Sequence, residues 1–245
     1  MFSTIKCRRL LLPGLAVLFF AAALRIYFPA GLSAFSMQRE SEKIVYVLDA
    51  GHGGEDGGAV SPDGAKESDV NLAVVLDLDA LLRFLGQETV LTRTEDASIA
   101  SEDAQTLREK KVSDLKNRVA LVNSIPRAVL VSIHQNSLPS VPSVRGAQVF
   151  FGKNAPSDAI AASMQCVLNK TINAGREKHE KKIDSTIYLM KNVNCPAILI
   201  ECGFMSNASE AAALQDSMYQ RKLAAAIAAG LLDHGNVKTE GEFTP

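Results

Sequence analysis

The sequence predicts an α/β fold in three layers, a central mostly parallel or mixed sheet with helices on both faces. Short apolar, β-branched runs alternate with longer stretches whose apolar positions recur every three to four residues, the pattern of strands separated by helices. Several short runs are apolar throughout rather than at every second residue, as strands covered on both faces are. Length agrees, because 245 residues with 47% hydrophobic content can bury one full-size α/β core.

The first strand is residues 44–50, where Ile44, Val45, Tyr46, Val47 and Leu48 lead into Asp49-Ala50-Gly51-His52-Gly53-Gly54. Val70, Val74, Leu78, Leu81 and Leu85 then fall at helical spacing, so a helix begins near Ser68 or slightly before. A strand over 88–92 follows. Val112, Leu115, Val119 and Val122 mark a second helix over 108–123, which Pro126 ends before an apolar strand over 128–133 that runs into His134, Gln135 and Asn136. Beyond a Ser/Pro loop at 138–143 come a strand over 146–151, an Ala-rich helix over 156–173, a charged link through His179 to Asp184, and a short strand over 187–190. Residues 197–201 form the last strand, Asn207 suits the N-cap of a helix over 208–214, and an amphipathic helix over 219–232 closes the domain. There is no internal repeat.

The N-terminus differs in kind. Lys6, Arg8 and Arg9 precede an uncharged stretch over 10–24, followed by Arg25 and further apolar residues to 35. Residues 1–35 therefore read as a membrane anchor or signal segment, with the basic flank cytoplasmic and the folded domain outside the plasma membrane. Ala21-Ala22-Ala23 offers a small-residue cleavage site, but no polar spacer precedes it and the run approaches the roughly 20 residues that span a bilayer, which favours an uncleaved anchor. Residues 36–42 read as a linker, 43–234 as one catalytic domain and 235–245 as a disordered tail. A formal net charge of −1 excludes the long-range positive field that nucleic acid rewards. With Cys7 in the cytoplasmic flank, Cys166, Cys195 and Cys202 are too few and odd in number for a disulfide scaffold.

Three apolar runs ending in His52, His134 and Glu201 suggest a hydrolytic metal site at one edge of the sheet, where ligands bind in open α/β folds. The glycine-rich segment around His52 is not a phosphate loop: Asp56 stands where a dinucleotide fingerprint needs Gly, no Lys-Ser or Lys-Thr follows, and Glu55 and Asp56 would repel phosphate. His52 and His134 taken singly could each be satisfied by local hydrogen bonds; their parallel placement at strand ends favours metal ligation. Glu67 suits the positive end of a helix, but the first helix also starts at the edge where the first strand leaves His52. Two imidazoles and a carboxylate leave the fourth position of tetrahedral zinc open, as hydrolytic sites do. Glu201 would carry a desolvation cost without a partner, either an ion pair with Arg93 or Arg118 or a metal-bound water whose proton it moves. His179 and His234 read as solvated surface residues. Cys202 is the alternative nucleophile of a thiol enzyme, disfavoured because an exported, exposed thiolate is prone to oxidation.

Leu48-Asp49-Ala50-Gly51-His52-Gly53-Gly54, Lys66-Glu67, Leu91-Thr92-Arg93, Ser132-Ile133-His134-Gln135-Asn136, Arg145-Gly146-Ala147-Gln148-Val149-Phe150-Phe151 and Ile200-Glu201-Cys202-Gly203-Phe204-Met205-Ser206-Asn207 occur in this order and spacing. On these motifs, residues 43–233 resemble the zinc-dependent N-acetylmuramoyl-L-alanine amidases of the amidase type 3 class, and look most like the germination-specific spore-cortex amidases of endospore formers. The resemblance implies one Zn²⁺ held by His52, Glu67 and His134, with Glu201 as catalytic acid and base. It implies peptidoglycan as substrate, cut at the amide between the N-acetylmuramic acid lactyl group and L-alanine, in muramic lactam formation. Some relatives of the spore subgroup work with a lipoprotein, which makes such a partner an expectation here, beside the membrane reached through the N-terminal segment. Ala50 stands where many relatives have proline and Ser137 where many have alanine; neither is a ligand. Two rivals use the same residues: a zinc peptidase acting within the stem peptide, and a catalytically silent wall-binding or activator protein.

Overall fold

The computed structural model describes residues 43–183 and 186–241. The segment read as an anchor or signal and the linker lie outside the described residues. Among the described residues no helix is long and apolar enough to cross a membrane.

The elements in chain order are β1 (Val45–Ala50), α1 (Glu67–Phe84), β2 (Glu88–Leu91), α2 (Leu107–Ser124), β3 (Ala128–Asn136), β4 (Gln148–Phe151), α3 (Ser157–Leu168), β5 (Lys181–Lys182), α4 (Tyr188–Asn192), β6 (Ala197–Phe204), α5 (Ala208–Gln215) and α6 (Ser217–Gly241). They build one six-stranded sheet in the order β2-β1-β3-β6-β4-β5. The β2, β1, β3 and β6 strands run parallel, and β4 pairs antiparallel with β6. The sheet is therefore mixed and flanked by helices on both sides, the three-layer α/β architecture expected.

Side-chain alternation along the strands separates two cores. Tyr46, Leu48, Val131, Ile133, Ile198 and Ile200 pack with Val74 and Leu78 of α1, Met164 of α3 and Ile227 of α6. The other face carries Val47, Leu130 and Leu199 against Val122 of α2 and Leu189 and Met190 of α4. Each fully buried aliphatic side chain of this size contributes roughly 1.5–3 kcal/mol. On that second face the apolar rows turn polar toward the strands' C-terminal ends: Val47 is followed by Asp49, Leu130 by Ser132 and His134, and Leu199 by Glu201. The functional side chains thus belong to the same strand faces as the core, two residues further on.

Local signals explain most boundaries. Thr106 and Glu109 form a capping box at the start of α2, and Asn207 accepts from the Glu210 backbone N–H as the N-cap of α5. Four expectations need correction. Residues 187–190 are not a strand; Tyr188–Asn192 is a short helix that buries Leu189 and Met190 beneath the sheet. A four-residue apolar run fits either state, and burial decided it. The charged link contains a two-residue strand, Lys181–Lys182, added beside β4. The helix expected over 156–173 is α-helical only to Leu168 and ends in a π-helical turn, Asn169–Asn173. Finally, α6 runs through Gly235 to Gly241, into the stretch read as a disordered tail, because extending a packed helix needs no new nucleus.

Candidate metal and catalytic site

His52 lies two residues beyond β1, in left-handed backbone at φ 62°. For a non-glycine residue this conformation requires support from its surroundings, and two arginines supply it. Arg118 of α2 donates to the carbonyls of Ala50 (2.8 Å) and His52 (2.7 Å), and Arg93 donates to those of Ala50 (2.9 Å), Gly51 (3.1 Å) and Ser68 (2.8 Å). Arg118 is itself buried, paired with Asp49 at 2.6 Å and Asp114 at 2.7 Å. Asp49 also accepts from Ser132 and Thr92. The turn that carries His52 therefore rests on a buried ionic floor.

Glu67 is the first residue of α1 and 4% exposed. Its Oε1 lies 3.0 Å from His134 Nδ1 and 3.4 Å from His52 Nε2, and accepts from the Gln135 backbone N–H (3.0 Å) and Asn71 Nδ2 (3.3 Å). Its Oε2 accepts from Ala59 N–H at 2.8 Å. Burial pushes the Glu67 carboxyl up, but the hydrogen bonds from His134 and His52 win and hold it well below the usual carboxylate range. The carboxylate is therefore fixed and ionised between the two imidazoles.

The ring planes of His52 and His134 meet at 76° with centroids 5.1 Å apart. One donor atom from each of His52, Glu67 and His134 lies within 4.8 Å of the other two. Close packing makes two glycines necessary. A Cβ on Gly51 would sit 2.2 Å from the His134 ring, and one on Gly58, at φ 68°, would sit 2.6 Å from Glu67 Oε2.

Glu201 pairs in register with His134 across β3 and β6. Its Oε2 is buried with no hydrogen-bond partner. Burial raises its pKa to about 7, with the Glu67 charge adding to the rise against the opposing pull of the histidines and Lys178. Neither arginine considered as an ion-pair partner reaches it, since both are committed to the floor beneath His52. Such an orphaned carboxylate oxygen, beside two imidazoles and a carboxylate, fits a site built to take a cation and its water.

His134 and Glu201 are not the last residues of their strands: β3 continues to Asn136, and β6 continues to Phe204 through a β-bulge. The extra residue lies on β6, where Cys202 and Gly203 stand opposite the single Gln135, so the irregularity falls immediately after the His134–Glu201 pair and the ladder resumes at Asn136 and Phe204. A cavity of about 330 Å³, lined by His52, His134, Glu201, Lys111, Tyr188 and Leu199, opens over the group. A second, of about 460 Å³, adjoins it past His52, Asp56 and Lys111.

Cys202 is fully buried in the core on the strand face opposite Glu201, and burial raises its thiol pKa. That placement disposes of a thiol nucleophile. His179 is exposed, as expected, and is not part of the His52, Glu67, His134 donor group. Sequence reasoning assigns no role to Asp56, whose Oδ2 lies 3.0 Å from His52 Nδ1, nor to Asn71 or Asp49, and offers Arg118 as a partner for Glu201 where the structure pairs it with Asp49 and Asp114. Asp56 had one readable signal, its i+4 spacing from His52 within a glycine-rich turn.

Comparison with known proteins decides the family. Residues 46–233 match the family model for N-acetylmuramoyl-L-alanine amidase, Amidase_3. The chain belongs to the N-acetylmuramoyl-L-alanine amidase family. It is 39% identical over 194 residues to the germination-specific N-acetylmuramoyl-L-alanine amidase of Bacillus subtilis, covering 78% of this chain and 79% of that one. Its fold is similar to that of the CwlD amidase from Clostridioides difficile, solved in complex with the GerS lipoprotein, with a TM-score of 0.76, 37% identity and coverage of 80% of this chain and all of that one. An N-acetylmuramoyl-L-alanine amidase from Clostridium difficile 630 matches at a TM-score of 0.69 and 28% identity, over 80% of this amidase and 98% of that chain.

Proposed function

We propose that this chain is a zinc-dependent amidase that hydrolyses the bond between the N-acetylmuramic acid lactyl group and L-alanine of the peptidoglycan stem peptide. His52, Glu67 and His134 hold one zinc ion, and Glu201 is the acid and base. The observation that carries the reading is the buried, unpartnered Glu201 oxygen facing a ready-made His, Glu, His donor set. When bound, zinc supplies Lewis acidity toward the amide carbonyl and lowers the pKa of water from about 15.7 toward about 7.

The residues do the rest. Glu67 enters the site already ionised and locked by backbone and side-chain donors, so the ion meets a charge that needs no reorganisation. Burial keeps Glu201 poised near neutrality, where a carboxylate can accept a proton from attacking water and return it to the departing L-alanine amine. Leu199 of β6 and Tyr188 of α4 contribute apolar wall to the cavity over the group.

The likeness to the germination-specific relative supports a role in spore cortex maturation. The hydrophobic N-terminal segment supports an exported, membrane-anchored enzyme with its catalytic domain outside the plasma membrane. The relative solved with a lipoprotein supports a lipoprotein partner for this one. Digestion of defined peptidoglycan by the full chain, with and without zinc, tests the activity by mass spectrometry of the products. Whole stem peptides beginning with L-alanine, released in a zinc-dependent way, are expected. Cuts within the stem would identify a peptidase, and binding without cleavage a silent protein.

Gly51→Ala tests the packing behind the donor set. The added methyl would overlap the His134 ring, which must swing away from Glu67. Zinc affinity is expected to fall by at least about tenfold, the scale of losing the support of one ligand, as read by competition with a chromophoric chelator.

A further inference from the structure

The two rings of the proposed zinc site are held differently. His52 turns Nε2 toward Glu67 and its other nitrogen, Nδ1, toward Asp56 Oδ2 at 3.0 Å. An ionised carboxylate can only accept, so the bond to Asp56 keeps a proton on Nδ1, and Nε2, which points at Glu67 in this structure, is the nitrogen left to give its lone pair to an ion. Asp56 is in turn fixed from three sides. Lys111 Nζ lies 3.1 Å from the same Oδ2, Gly58 N–H donates to Oδ1 at 3.3 Å, and the Asp56 backbone is bridged to Gly53 in both directions at 2.8 and 3.2 Å. Lys111 shares one face of α2 with Asp114 and Arg118, at i, i+3 and i+7. The helix that supports the backbone of His52 through Arg118 therefore also supports its ring through Lys111 and Asp56.

We infer that Asp56 is a positioning residue for the metal: it fixes His52 in the Nδ1–H tautomer and aims Nε2 at the ion, with Lys111 as its outer clamp. The inference rests on the zinc reading above. Of the two acids in this glycine-rich turn, Glu55 pairs outward with Lys110, and Asp56 is the one that reaches the His52 ring. A carboxylate behind a ligating imidazole makes the ligand more basic and holds its plane, and losing such a partner weakens metal binding by about 10- to 100-fold.

The test is zinc affinity of the full chain by chelator competition, alongside thermal melting of the metal-free protein. Asp56→Ala is expected to bind zinc about 10- to 100-fold more weakly, and Asp56→Asn, which keeps an acceptor oxygen but loses the charge, to fall between it and the unaltered protein. Lys111→Met is expected to give the smallest loss. The metal-free melting temperatures of Asp56→Asn and the unaltered protein should coincide, and nitrogen-correlated NMR of the His52 ring should show the Nδ1 proton lost from its fixed position in Asp56→Ala. Unchanged zinc affinity in Asp56→Ala overturns the inference while leaving the zinc reading in place. So does full recovery by Asp56→Asn with a lowered metal-free melting point in Asp56→Ala, because that pattern assigns Asp56 to the turn alone. Failure of the unaltered chain to bind zinc removes both.

Discussion

Replacing Glu201 with Gln is expected to lower turnover by about 10²- to 10⁴-fold while zinc content stays at one ion per chain. In free energy of activation this is about 3–5 kcal/mol. The substitution is nearly isosteric and leaves β6 paired with β3, so the loss isolates proton transfer from folding. Gln can still accept a hydrogen bond from water, but it cannot carry a proton to the departing amine. The drop should appear in kcat far more than in KM, since the site group acts on the reacting atoms rather than on substrate binding. Steady-state kinetics on soluble peptidoglycan fragments, with metal analysis of the same preparations, would read both quantities. Activity undiminished in this variant would remove Glu201 from the chemistry.

Arg118→Met is expected to destabilise the protein by about 3–5 kcal/mol, a large share of the roughly 5–15 kcal/mol that domains possess. Arg118 is 2% exposed, and its removal strands the Asp49 carboxylate in the interior and leaves the carbonyls of Ala50 and His52 short of a donor. The effect should depend on pH in a defined direction. Burial pushes the Asp49 pKa up, but Arg118 and Ser132 overcome this and hold it below its ordinary value. The native protein then binds fewer protons at Asp49 than the unfolded chain does, so this contribution is complete above an unfolded pKa of about 3.9 and is lost as pH falls through the lower folded value. In Arg118→Met the stranded carboxylate is relieved by protonation, so the gap to the unaltered protein should be widest near neutrality and narrow below about pH 4. Denaturant melts at several pH values would measure it.

The layout of the site was legible because buried parallel strands are written as unbroken apolar runs, and three of them end near His52, His134 and Glu201. Parallel neighbours in a sheet bring such ends to one edge, and the observed β1-β3-β6 adjacency does so. Asn207 and the helical spacing of α1 and α2 were readable because caps and periodicity are local. What escaped was decided by partners far away in the chain. Arg118 interrupts the apolar stripe of α2 formed by Leu115, Val119 and Val122, yet its partner Asp49 lies 69 residues earlier. Nothing local shows that an arginine on an amphipathic helix turns inward. Residues 187–190 failed for a related reason: an isolated apolar turn takes whichever conformation covers the sheet beneath it. Lys181 and Lys182 gain their strand from the free edge of β4, not from their own propensity.

The most direct measurement is diffraction from crystals of the full chain grown with zinc, recorded on both sides of the zinc absorption edge. One anomalous peak is predicted, enclosed by His52, Glu67 and His134 and adjacent to Glu201. A peak elsewhere, or a protein that crystallises with these three side chains intact and no ion among them at saturating zinc, would contradict the account.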